Sequence, residues 1–132
     1  MKAVNGVSFN LKRGEFLGVV GESGSGKSVT MMSLLRLIPM PPGEIVSGEA
    51  MFGDDNLLAI DLEQLRTIRG GKIGFIFQDP MTSLNPVLTV GYQITESLRL
   101  HTDLKEKQLM PRAKELLDLV GIPDAMARLK NY

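Results

Sequence analysis

Residues 21–28 read Gly21-Glu22-Ser23-Gly24-Ser25-Gly26-Lys27-Ser28 and match the pattern G-x-x-x-x-G-K-[ST] of a phosphate-binding loop. Before the loop, residues 16–20 (FLGVV) are apolar on both faces, which predicts a strand in a sheet that is covered on both sides. After it, residues 27–38 predict a helix that is apolar around most of its circumference and that Pro39 ends. This order of strand, glycine-rich loop and helix indicates an α/β fold with a nucleotide site, in preference to a glycine-rich turn that only joins two elements.

The residue types in the loop suit a triphosphate. Glycine lets the backbone curl so that successive N–H groups point at phosphate oxygens. The helix that follows adds the positive end of its dipole. Lys27 can reach the outer phosphates as a point charge, and the Ser28 hydroxyl can ligate Mg²⁺. The loop therefore predicts binding of a nucleoside triphosphate together with Mg²⁺.

Further strands and turns are predicted on both sides of this unit. Residues 12–15 predict a turn, and residues 53–56 predict another. Alternating or continuous apolar residues predict three more strands, at 7–11, 45–52 and 72–77.

Helices dominate the remaining pattern. Asp61 with Gln64 forms a capping box that predicts a short helix, which Gly70-Gly71 closes. Asp103 with Glu106 forms a second capping box, and Pro111 predicts a kink or a later helix start. Two apolar stripes at helical spacing predict two longer helices, the first with Val90, Ile94 and Leu98 and the second with Leu109, Ala113, Leu116, Leu117 and Val120, stopped by Gly121 and Pro123.

Composition narrows the function classes. The 132 residues suit one domain, and fifteen basic against fifteen acidic residues give a net charge of +0, which argues against a nucleic-acid binder with a broad basic face. The sequence has no cysteine, so it offers no disulfide framework, zinc knuckle or thiolate nucleophile. It has no apolar run long enough to span a bilayer, and its first residues lack the features of a secretory signal, so a cytoplasmic location is expected.

The chain resembles the ATP-binding cassette family and, within it, the ATP-binding subunits of oligopeptide and dipeptide importers. Residues 73–86 (IGFIFQDPMTSLNP) are similar to the Q-loop region of that subfamily nearly residue for residue. The resemblance extends through AVNGVSF, VGESGSGKS, IRG and ELLDLVGIP, and so covers essentially the whole chain.

The resemblance implies roles for particular residues. Residues 21–28 would be the Walker A loop that holds ATP, with the backbone N–H of Val29 near the α-phosphate. Gln78 would be the Q-loop glutamine, which contributes with Lys27 to catalysis and with Ser28 to the surroundings of Mg²⁺. A side-chain amide suits that position because it accepts from water or ligates a cation through oxygen without losing a proton. Residues 1–83 would be a portion of a P-loop core with an N-terminal antiparallel β element, and residues 84–132 the start of a helical subdomain.

The resemblance also implies partners and a location. A second ATP-binding subunit, identical or different, would complete the site, and transmembrane permease subunits would dock on the helical subdomain at the cytoplasmic face of the membrane. The signature motif, the Walker B acids, the catalytic glutamate and the switch histidine of the family are not in this sequence, and His101 is expected on a partly exposed surface. The chain is therefore expected to be the N-terminal part of one ATPase domain. An alternative is a nucleotide-binding or interaction module that does not hydrolyse ATP; a family member that acts on DNA is disfavoured by the charge balance.

Overall fold

The computed structural model describes residues 2–79 and 83–132, so residues 80–82 of the segment that resembles the Q-loop region lie outside the described residues. The chain divides between Leu65 and Arg66 into two compact units. The described residues form five helices, α1 to α5, and one sheet of two antiparallel strands, β1 and β2. In chain order these are α1 (Lys27–Leu34), β1 (Met51–Phe52), β2 (Asp55–Asn56), α2 (Leu62–Ile68), α3 (Val90–His101), α4 (Glu106–Leu119) and α5 (Ala125–Arg128). None of these helices is both long and apolar enough to cross a lipid bilayer.

Helix α1 follows the glycine-rich loop, as the sequence predicts, but it ends at Leu34 and not at Ile38. Arg36 adopts the left-handed conformation with φ of 51°. The Leu37 N–H then donates to the Met32 carbonyl at 2.9 Å, and the Arg36 N–H donates to the Ser33 carbonyl at 2.9 Å. These two bonds form a Schellman motif, which ends the helix before Pro39 can act.

Three of the predicted strands are absent from the described residues. Segments 7–11, 16–20 and 72–77 contain no strand, although Ile73 makes one isolated parallel bridge with Arg69. Phe16, Val20 and Ile76 are almost wholly exposed, so these segments do not form a buried sheet. A buried strand needs hydrogen-bonded neighbours and cover on both faces, and neither strand of the described residues pairs with these segments. The predicted turn at residues 12–15 does form, since the Glu15 N–H donates to the Lys12 carbonyl at 3.1 Å.

The fourth predicted strand, at residues 45–52, shortens to β1, and the turn predicted at 53–56 contains β2. Phe52 pairs with Asp55 across a two-residue loop in which Gly53 has φ of 62°. Asn56 braces the hairpin because its side-chain oxygen accepts from the Ala50 N–H at 3.1 Å and from the Leu58 N–H at 3.2 Å. A short hairpin, held by the Asn56 side-chain amide, therefore stands in place of the longer strand predicted at residues 45–52.

Helix α2 begins as the capping box predicts. The Asp61 carboxylate accepts from the Gln64 N–H at 2.7 Å, which satisfies one of the free donors of the first turn. Leu65 and Ile68 are buried, and the helix ends before Gly70, which has φ of 80°.

The second unit contains α3, α4 and α5. Its small core consists of Ala113, Leu117, Ala125 and Leu129, with Ile94 and Leu98 packed against it. This confirms the predicted core faces of α3 and α4, except that Val120 is 69% exposed because α4 has ended before it.

The start of α4 differs from the prediction. The helix begins at Glu106, and the Gln108 side-chain oxygen accepts from the Lys105 N–H at 2.9 Å, so the capping box lies two residues later than Asp103. Arg99 of α3 donates to both Glu106 oxygens at 3.1 and 2.7 Å, and these bonds hold the pKa of Glu106 below its ordinary value. Pro111 lies inside α4, which runs from Glu106 to Leu119.

The end of α4 confirms the predicted stop at Gly121, whose φ is 77°. Its N–H donates to the Asp118 carbonyl at 3.0 Å, and the Ile122 N–H donates to the Leu117 carbonyl at 3.0 Å. No atom lies within 4 Å of a β-carbon placed on Gly121. A side chain there would therefore be opposed only by the positive φ of the backbone and not by a steric clash.

We expect Gly121→Ala to lower the free energy of unfolding by about 1 kcal/mol, because alanine resists the left-handed conformation. Gly121→Asn is the matched control and should cost less, since asparagine tolerates positive φ. Denaturant unfolding followed by circular dichroism measures both variants. Equal stability of Gly121→Ala and the unaltered chain would contradict this description of the helix end.

Candidate nucleotide-binding site

The loop before α1 takes a shape that glycine permits. Gly24 and Gly26 have φ of 79° and 87°, which other residues rarely adopt, and the Ser25 N–H donates to the Glu22 carbonyl at 3.2 Å. Gly21 lies so close to Ser25 that a β-carbon on Gly21 would be 2.9 Å from the Ser25 hydroxyl. The loop therefore turns back on itself immediately before the helix begins.

Lys27 lies across this loop. Its ammonium donates to the Gly21 carbonyl at 2.8 Å and to the Glu22 carbonyl at 2.7 Å, with a longer bond of 3.4 Å to the Ser25 hydroxyl. An ammonium group has three N–H donors, and the third is held weakly here. An incoming phosphate oxygen can replace the Ser25 hydroxyl and gain a charge-assisted hydrogen bond.

The first turn of α1 adds free donors at the same place. Gly26 occupies the N-cap position and no side chain caps the helix. The first N–H groups of an α-helix have no partner within the helix, so those of Lys27, Ser28 and Val29 are available to an anion. Ser28 lies next to Lys27 in the first turn of α1, and its side chain is exposed. This position suits a hydroxyl that would ligate Mg²⁺ beside a bound phosphate.

Residues outside the motif fix the position of Gly26, and the sequence does not reveal them. A β-carbon on Gly26 would lie 2.6 Å from the Ala3 carbonyl oxygen and 3.3 Å from a Val4 methyl group. The Thr30 hydroxyl donates to the Gly26 carbonyl at 2.8 Å. The segment at residues 3–4 thus packs against the helix entry so closely that only glycine fits.

Gln78, the second predicted site residue, lies in the other compact unit at the end of segment 72–77 and is exposed. The ring centroids of Phe75 and Phe77, just before it, are 4.7 Å apart. The structure brings residues 21–29 together as one site. The role of Gln78 at that site stays a prediction. Among the residues that the structure describes, no group of three or more His, Cys, Asp or Glu side chains could hold a metal ion.

The second unit carries an open groove of about 610 Å³ between α3, α4 and residues 83–88. Gln93 shapes this groove, because its amide accepts from the Asn85 N–H at 2.8 Å and donates to the Asn85 and Leu88 carbonyls at 3.0 and 2.9 Å. The sequence gives no sign of this amide bridge. The groove is lined by Ser83, Leu84, Asn85, Leu88, Gln93, Ile94, Glu96, Ser97, Leu98 and Leu116.

Comparison with known proteins identifies the family of the chain. The model of the ABC transporter family matches residues 4–131. A probable peptide ABC transporter ATP-binding protein of Sinorhizobium fredii is 50% identical over 131 residues, which are 99% of this chain and 39% of that protein. In Bacillus subtilis, the oligopeptide transport ATP-binding protein OppD is 48% identical over 100% of this chain and 37% of its own length, and the dipeptide transport ATP-binding protein DppD is 46% identical over 100% and 39%. The chain thus spans about two fifths of the length of the curated relatives that it matches. The match over residues 4–131 shows that this chain belongs to the ABC transporter family.

Proposed function

We propose that the chain binds MgATP through residues 21–29 and is part of the ATPase subunit that powers a peptide importer. The observation that carries the proposal is the position of the Lys27 ammonium, which is held by two loop carbonyls beside the free N–H groups of α1. Membership of the ABC transporter family implies a P-loop NTPase fold, and the relatives named for peptide, oligopeptide and dipeptide transport support the substrate class.

Each residue of the loop has a defined task in this proposal. The N–H groups from Gly24 to Val29 line the phosphates, and the Lys27 ammonium neutralises charge on the outer two. The Ser28 hydroxyl ligates Mg²⁺, and bound MgATP supplies the phosphoanhydride bond whose hydrolysis drives import. Binding through the Ser25 N–H requires this group to leave the Glu22 carbonyl, to which it donates at 3.2 Å.

Gln78 is proposed to hold Mg²⁺ and the attacking water through its side-chain amide. An amide oxygen can accept from that water, and the amide nitrogen can donate to a phosphate oxygen, with no change of protonation state. Hydrolysis is proposed to require a second ATP-binding subunit, identical or different, which completes the site.

Residues 1–83 are proposed to be a portion of the ATP-binding core, and residues 84–132 the beginning of a helical subdomain. We assign the groove of the helical subdomain to a permease subunit, which would place the protein at the cytoplasmic face of the membrane. Leu84 lines this groove and is 51% exposed, and Val87 beside it is 74% exposed. Exposed leucine and valine at a rim next to Gln93 suit an apolar contact with a protein partner.

We expect Leu84→Glu to lower the recovery of permease subunits by about tenfold, since an unpaired carboxylate in an apolar contact costs more than 1.4 kcal/mol. The measurement is isolation of the tagged protein from detergent-solubilised membranes, with quantification of the co-purified multi-span proteins, together with uptake of a labelled tetrapeptide by the same cells.

Leu100→Glu is the matched control for this experiment. Leu100 is also an exposed leucine, at 73%, but it does not line the groove, so the variant should retain both recovery and uptake. Peptide uptake that is unchanged when the gene is deleted would refute the importer role. Loss of recovery with both variants would refute the groove as the contact.

A further inference from the structure

His101 lies against the two glycines, Gly70 and Gly71, that precede the segment containing Gln78. The residue ends α3 and is partly buried. A β-carbon on Gly70 would lie 2.8 Å from His101 Nε2, and a β-carbon on Gly71 would lie 3.1 Å from His101 Nδ1. The imidazole therefore fills the space that side chains would otherwise take at both glycines.

The turn under this ring sets the start of the next segment. The Gly70 N–H donates to the Ile73 carbonyl at 2.9 Å, and the N–H groups of Lys72 and Ile73 both donate to the Ile68 carbonyl at 2.9 Å. These bonds form the turn after α2 and hold Ile73, from which five residues lead to Gln78. A β-carbon on Gly71 would also meet the Thr67 carbonyl oxygen, so this position has no room for a side chain between the ring and the end of α2.

Helix α3 extends from this turn to the groove. Ile94, Ser97 and Leu98 of α3 line the groove, and His101 follows one turn after Leu98. One end of α3 therefore lies against the Gly70-Gly71 turn through the imidazole, and the preceding turns of the helix line the groove.

We propose that His101 is a positioning residue, which holds the Gly70-Gly71 turn and thereby sets the course of residues 73–78 relative to α3. Its effect on ATP hydrolysis rests on the proposed function of Gln78, whereas its effect on the segment does not. The space beside the two glycines holds a flat ring. His101→Phe therefore preserves the contact, and His101→Ala removes it.

The first test uses the full chain labelled with [¹⁵N]glycine, which gives up to 14 backbone signals. In His101→Ala we expect the signals of Gly70 and Gly71 to shift because the ring is gone, and that of Gly74 to shift because the segment moves. His101→Phe should return Gly74 to its original position. Gly48 and Gly53, in the other unit, are internal controls and should not change. An unchanged Gly74 in His101→Ala, or a shift that His101→Phe does not reverse, would overturn the proposal.

The second test uses the membrane complex that contains the protein. His101→Ala should lower kcat for ATP by about tenfold and leave KM within about twofold, the pattern of a group that acts on the transition state and not on binding. His101→Phe should recover most of kcat, which a general loss of stability would not predict. If the unaltered complex hydrolyses no ATP while Gly74 still responds to His101→Ala, the role of Gln78 fails and the positioning by His101 stands. If kcat and KM change together in both variants, the positioning role is wrong.

Discussion

Replacement of Lys27 by alanine is expected to weaken MgATP binding by about a hundredfold, because it removes a charge-assisted hydrogen bond to phosphate worth up to about 3 kcal/mol. The expectation follows from the contacts of the ammonium, which two loop carbonyls hold at 2.8 and 2.7 Å. Titration with a fluorescent ATP analogue in the presence of Mg²⁺ measures the effect.

Two further variants separate charge from structure in that experiment. Lys27→Met keeps the aliphatic stem and should lose as much affinity as the alanine variant. Lys12→Ala removes the same charge from the turn at residues 12–15, outside the loop, and should bind as the unaltered chain does. Full affinity in Lys27→Met would show that the ammonium does not bind phosphate.

Gly91→Ala is expected to lower the free energy of unfolding by about 2–3 kcal/mol, although alanine is ordinarily the better helix residue. Gly91 is buried in α3, and its N–H donates to the Leu129 carbonyl at 2.8 Å. A β-carbon there would lie 2.7 Å from that same oxygen, a backbone atom that no rotamer change can move. The segment after α5 must therefore leave α3 or lose this hydrogen bond.

Chemical denaturation followed by circular dichroism tests this expectation. Gly18→Ala is the matched control, since a β-carbon on Gly18 meets nothing within 4 Å and its φ is not in the left-handed region. Its free energy of unfolding should change by less than about 0.5 kcal/mol. A Gly91→Ala variant as stable as Gly18→Ala would show that the end of the chain does not pack on α3 as described.

Local sequence signals predicted those features that depend on neighbours along the chain. The loop before α1, the Asp61 cap of α2 and the stop at Gly121 each involve residues within about one turn, and the structure contains all three. The helical stripes predicted the core faces of α3 and α4 because a face is fixed by spacing alone.

Strands and long-range contacts could not be predicted in this way. Alternation at residues 7–11 shows which side chains share a face, but a strand forms only if another strand pairs with it. The sequence does not indicate the end of α1, since Arg36, not glycine or asparagine, takes the left-handed position. The contacts of Gly91 with Leu129 and of His101 with Gly70 join residues far apart in sequence and leave no local pattern.

Hydrogen exchange measured by mass spectrometry, with and without saturating MgATP, tests the central claim most directly. The N–H groups from Gly24 to Val29 are proposed to bind phosphate, so the account predicts that peptides covering residues 21–30 exchange more slowly when MgATP is present. Lys27→Met should abolish that protection. Unchanged exchange across residues 21–30 at millimolar MgATP, or protection found only elsewhere in the chain, would contradict the assignment of this loop as the nucleotide site.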